Sequence, residues 1–188
     1  MAAPTEPDSG LSIPPHPDGW TVDEVLALPE DQTSLQRIEL VDGALLVSPA
    51  PTSVHQRLLQ KLQFAFVPAL PEDTELLPGV NVRFGGQRLL IPDLVILTCT
   101  AVDTVAFAAS DVLLAAEIVS PSTKVQDRIL KRAIYAEALI PFYLLVEPGE
   151  PDTATLFELQ RGEYEPIAKS EAGQLHLTRP FEAEITLA

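Results

Sequence analysis

Hydrophobic and polar positions change period several times along the chain, and each change marks an element. Thr21-Val22-Asp23-Glu24 opens a short helix, with Thr21 as N-cap and Glu24 as its capping-box partner, and Pro29 closes it. Residues 37–48 alternate around Asp42-Gly43, which predicts a hairpin. Apolar residues at 58, 59, 62 and 66 predict a helix over 54–69, ended or distorted by Pro68. Residues 81–84 and 88–97, separated at Gly85-Gly86, predict a second hairpin; Pro92 fits there only at a strand start, an edge or a bulge. Residues 112–119 are apolar apart from one acid and read as a buried strand. A helix over 122–139 and an apolar strand over 142–146 follow. Residues 153–159 and 164–168 pair through Arg161-Gly162, and 182–187 form a final strand. This order predicts an α/β or α+β domain, a mixed sheet with two main helices.

Composition narrows the class. Residues 1–18 carry five prolines and no periodicity, which predicts a disordered or loosely docked arm before one domain over 19–188. With 188 residues and 46% apolar content, the chain can bury a real core. No segment reaches the ~18 apolar residues of a membrane span, and the N-terminus lacks the basic and apolar regions of a secretory signal. A single cysteine, Cys99, excludes an internal disulfide and a Cys-rich zinc site and suits a reducing cytoplasm. His16, His55 and His176 are too scattered for a paired-histidine zinc motif. The net charge of −15 argues against a broad, non-specific nucleic-acid binder, though a local basic patch at Lys124, Arg128, Lys131 and Arg132 remains compatible with it.

Two acids stand out. Glu117 lies within the apolar run 112–119, and Asp93 within Leu89-Leu90-Ile91-Pro92-Asp93-Leu94-Val95. Buried acids need partners. If the two strands are neighbours, both carboxylates reach one end of the sheet, where their repulsion calls for a cation. A hard divalent ion held by carboxylates, a carbonyl and waters is one solution. A lysine is another. At ~100° per residue, Asp127, Lys131 and Tyr135 form one row of the following helix, opposite Val125, Ile129, Leu130, Ala133 and Ile134. That row could stand beside Glu117, either as a structural ion pair or as a chemical site.

The stretches "IELVDGALLVSPAPTSVHQRL" (38–58), "IPDLVIL" (91–97), "AAEIVSPSTKVQDRILKRAIYAEALIPFYLLVEP" (115–148) and the closing "RPFEAEITLA" resemble the Uma-two family of endonucleases, in the restriction-endonuclease-like PD-(D/E)XK superfamily. The resemblance implies a restriction-endonuclease-like core with flanking helices and hairpin additions at both ends. It implies Asp93 and Glu117 as catalytic acids holding Mg²⁺ or Mn²⁺ with the Ile118 carbonyl. The superfamily's usual lysine position is Val119 here, which points to Lys131 from the helix instead. Glu39, His55, Tyr135, Lys124 and Arg128 are candidates to line the cleft. DNA is the implied partner, and a homodimer is compatible with cutting both strands. The competing expectation is a non-catalytic interaction or nucleic-acid-binding module that keeps the fold, which the acidic charge favours.

Overall fold

The computed structural model describes residues 16–28, 37–120 and 124–187. The expected arm falls mostly on 1–15, and Pro29 at 29–36; both lie outside the described residues. His16, at the arm's end, does dock: its ring lies 4.9 Å from that of Trp20, and its Nε2 is 3.2 Å from Glu24.

Helix α1 (Val22–Leu26) has the expected capping box between Thr21 and Glu24. Strands β1 (Arg37–Val41) and β2 (Ala44–Ser48) pair antiparallel around Asp42 and Gly43. Both turn residues have positive φ, 49° and 83°, the combination a two-residue hairpin requires. A side chain at Gly43 would also meet the Gly19 backbone at 3.2 Å, so the hairpin tip is pinned to the start of the fold. Helix α2 (Ser53–Phe66), capped by Thr52, runs into a 3₁₀ turn at Val67–Ala69, where Pro68 denies the α-helix its next turn.

The remaining strands are β3 (Glu75–Pro78), β4 (Val82–Arg83), β5 (Leu89–Leu90), β6 (Leu94–Leu97), β7 (Phe107–Ala108), β8 (Val112–Ile118), β9 (Phe142–Glu147), β10 (Thr153–Gln160), β11 (Glu163–Lys169), β12 (Gln174–Leu177) and β13 (Ala183–Thr186). They build a six-stranded sheet ordered β11-β10-β9-β8-β6-β3, a five-stranded sheet ordered β2-β1-β5-β4-β7, and the pair β12-β13. The fold is therefore mixed α+β, as the pattern predicts. The second hairpin is a partial correction. Strands β4 and β5 pair antiparallel, but the segment breaks at Ile91-Pro92-Asp93, and β6 continues in the other sheet. Pro92 has no N–H to give a ladder, so the chain leaves one sheet there and enters the next. Strands β3, β7 and β12, each four residues or shorter, escape the periodicity reading.

Alternation on the central strands decides what meets what. Leu94, Ile96, Leu114, Ala116 and Ile118 pack with Leu58, Leu62 and Phe66 of α2. Val95, Leu97, Ala115 and Val119 pack with Ile134, Tyr135 and Tyr143. Side chains two apart share a sheet face, so Glu117 belongs to the second layer, with Ala115 and Val119. That layer is covered by the helix linking β8 to its parallel neighbour β9. It is π-helical over Gln126–Lys131 and becomes helix α3 at Arg132–Glu137.

Candidate active site

Register brings the two acids together. Leu94 of β6 lies opposite Ala116 of β8, so Asp93 emerges beside Glu117 at the strand ends. The Ile118 N–H donates to Asp93 Oδ2 at 2.7 Å. His55 Nε2, from the first turn of α2, is 3.0 Å from the same oxygen, and Arg37 Nη1, from the start of β1, donates to Oδ1 at 2.5 Å. Arg37 also donates to the Ile91 carbonyl. Burial alone would raise the Asp93 pKa. The bond from His55, the Arg37 guanidinium and the Ile118 N–H outweigh it and hold the carboxyl well below its ordinary range.

Lys131 answers for Glu117. Its Nζ lies 3.1 Å from Glu117 Oε1, 3.0 Å from Glu39 Oε1 and 3.8 Å from Asp127 Oδ1. Burial works against its charge, but these carboxylates prevail and hold the ammonium above its ordinary pKa. Tyr135 donates from its hydroxyl to Glu117 Oε1 at 2.5 Å. Glu39 accepts the Ile91 N–H at 2.8 Å and is buried, although it lies on a hairpin strand. The π-helical turn puts Asp127 and Lys131 inward together, a helix irregularity that recurs at functional sites.

The cleft is lined by Arg37, Glu39, His55, Asp93, Glu117 and Lys131, among others, around a cavity of about 60 Å³. That is several times the ~10–15 Å³ that holds one water. The structure thus gathers the expected acids, the lysine, Glu39, His55 and Tyr135. It does not bring in Lys124, which is exposed, or Arg128, which pairs with Glu147 and lines a different groove. Arg37 and Asp127 are the residues that the sequence reading did not count among the site. Asp127 was visible in the helical row; the Arg37–Asp93 contact spans 56 residues and leaves no local signal.

The donor chemistry suits a hard dication. Four buried carboxylates (Glu39, Asp93, Glu117, Asp127) face two permanent cations, Arg37 and Lys131, so the cleft has two negative charges in excess when all are ionised. Two carboxylates, a backbone carbonyl and waters are oxygen ligands of the kind Mg²⁺ and Mn²⁺ take. Among the described residues no three His, Cys, Asp or Glu side chains form a ready-made cage. The fit therefore rests on charge and donor type.

Two predictions arise here. Burial pushes the Glu117 pKa well above its ordinary value; Lys131 opposes this, and Asp93 and Asp127 add to it. A carboxyl raised on folding stabilises the protein below its unfolded pKa of ~4.3 and loses that contribution as pH rises through its folded pKa. In chelator, the thermal stability of Glu117→Gln therefore gains on that of the wild type between pH 5 and pH 8. A stability difference flat across that range contradicts the burial effect. Second, Tyr135→Phe keeps the ring packing but removes the donor to a buried carboxylate. Urea denaturation shows a loss of about 1–3 kcal/mol; an unchanged stability shows that the bond contributes nothing.

No helix among the described residues is long and apolar enough to cross a membrane. No curated protein matches the chain. The structure resembles the crystal structure of a putative nuclease of the DUF820 group from Anabaena variabilis, with a TM-score of 0.57 and 22% sequence identity over 79% of this chain and 84% of the other. At that identity the likeness establishes the fold. A model of the Uma2 family, described as "Putative restriction endonuclease", matches residues 22–188. A match over nearly the whole chain is decisive, and the protein belongs to the Uma2 family.

Proposed function

We propose that this chain is a cytoplasmic, metal-dependent endonuclease that hydrolyses phosphodiester bonds in DNA, with a PD-(D/E)XK arrangement in which the lysine is supplied from the helix. The convergence of Asp93, Glu117 and Lys131 in one acid-rich cleft carries this reading. Asp93, Glu117 and the Ile118 carbonyl would hold Mg²⁺ or Mn²⁺, and the ion would supply Lewis acidity toward a phosphate oxygen.

The chain's residues have separate tasks. His55 and the Ile118 N–H fix Asp93 in its ionised form. Tyr135 fixes the orientation of Glu117. Lys131 keeps its charge in a buried setting and offsets the negative charge that builds on phosphorus, where a preorganised cation acts most strongly. Val119 sits in the core against Tyr135 and Tyr143, so the position the superfamily usually gives to lysine here serves packing.

Supercoiled plasmid incubated with the protein and Mn²⁺ tests the reading. Nicked or linear product that EDTA suppresses is expected. The net charge of −15 favours the rival, a non-catalytic module that keeps the fold. Intact plasmid across Mg²⁺, Mn²⁺ and varied DNA structures decides for that rival.

A further inference from the structure

Both oxygens of Asp93 are committed within the protein: Oδ1 to Arg37, Oδ2 to His55 and the Ile118 N–H. A carboxylate has lone pairs to spare, but a dication on Asp93 crowds these partners and competes with whichever of them carries charge and can move. The Ile118 donor is backbone in a paired strand. The His55 side chain is 9% exposed. The Arg37 side chain is 26% exposed, and it borders both the acid cleft and a second groove lined by Gln56, Leu59, Gln63 and Pro78. His55 borders the same two spaces but is nearly enclosed, so Arg37 is the partner freest to move.

We infer that Arg37 and the dication exchange places on Asp93 Oδ1, so that Arg37 is a positioning residue that guards the metal site. The inference rests on the metal-binding reading above. A guanidinium and a dication on one carboxylate oxygen repel each other at short range in a partly desolvated cleft. With the ion bound, the Asp93 bond breaks and the guanidinium turns into the adjoining groove. There its planar fork can meet a phosphodiester with two parallel donors. The same residue thus neutralises Asp93 in one arrangement and faces the substrate strand in the other. The exchange also accounts for an arginine, tethered by Ile91, at a site that a catalytic ion would otherwise make redundant.

Two measurements test this. Mn²⁺ is titrated calorimetrically into the wild type, Arg37→Gln and Arg37→Lys, with folding checked by circular dichroism. Losing a charge-assisted competitor should make Arg37→Gln bind roughly ten- to a hundredfold tighter, while Arg37→Lys stays near the wild type because its charge still competes. Binding by the variant alone supports the exchange equally. Equal or weaker binding by Arg37→Gln, with the wild type still binding, overturns the exchange and leaves the metal site standing; binding by none overturns both. The second measurement needs only the wild type, with Arg37→Lys to assign the signal. In ¹⁵N-arginine-labelled protein, the Arg37 guanidinium resonances should show hindered rotation that is lost as Mg²⁺ is added. Hindered rotation that persists at saturating Mg²⁺ overturns the exchange even if the affinities shift.

Discussion

Lys131→Met is expected to abolish the proposed DNA cleavage and to lower folding stability by about 3–5 kcal/mol, the usual cost of removing one partner of a buried ion pair. Lys131 is 5% exposed and stands between Glu117, Glu39 and Asp127. Its loss leaves three buried acids facing one another with only Arg37 as a permanent cation in the cleft. Loss of activity alone could reflect unfolding, so the informative protein is the double variant Lys131→Met/Glu117→Gln. Removing both members of the pair recovers part of the stability, because one of the three uncompensated acids goes with the lysine while Glu39 and Asp127 stay. It recovers no cleavage, because both the acid and the cation are gone. Urea denaturation beside the plasmid assay reads both. A double variant no more stable than Lys131→Met shows that the pair is not the unit described here, and wild-type cleavage by Lys131→Met removes lysine from the mechanism.

Asp93→Asn has the second large effect. It is expected to abolish the proposed Mn²⁺-dependent cleavage while the chain remains folded. Asparagine is the better test than alanine because its amide oxygen still accepts the Ile118 N–H, which an alanine would leave buried and unpaired. The neutral side chain no longer complements Arg37, so a loss of stability accompanies the loss of activity. That loss has a pH signature. The Asp93 carboxyl is held below its ordinary pKa, so its contribution is present above the unfolded value of ~3.9 and disappears as pH falls through the folded one. Wild type and Asp93→Asn therefore converge in stability toward strong acid and separate near neutrality. Undiminished cleavage by a folded Asp93→Asn ends the assignment of Asp93.

Much of the site is legible in the sequence because its parts obey local rules. Lone acids in apolar strands announce themselves against the burial pattern, and Asp127, Lys131 and Tyr135 share a helical row. The hairpin at Asp42-Gly43 follows from the backbone conformation its turn demands. What the sequence hides is of three kinds. Strands as short as Phe107–Ala108 carry too few residues to show a period. The break at Pro92 sends one apolar run into two sheets, a choice that pairing partners make rather than local propensity. The helix after Glu117 inverts the usual logic: its polar row faces inward, while Val125 and Ile129 are 70% and 66% exposed. Its π-helical turn departs from the 100° spacing on which a helical wheel relies. Arg128 belongs with this last group, since it is a candidate to line the cleft by sequence and the structure pairs it with Glu147 instead.

The central claim is that the acid-rich cleft binds a divalent ion through Asp93 and Glu117. Calorimetric titration of Mn²⁺ into the wild type and into Glu117→Gln tests it without any knowledge of the substrate. Saturable binding of one ion by the wild type, lost or weakened at least tenfold in a folded Glu117→Gln, is the expected result. No binding by the wild type, even with a short DNA duplex present, or equal binding by both proteins, contradicts it and makes the acids a structural ion-pair network.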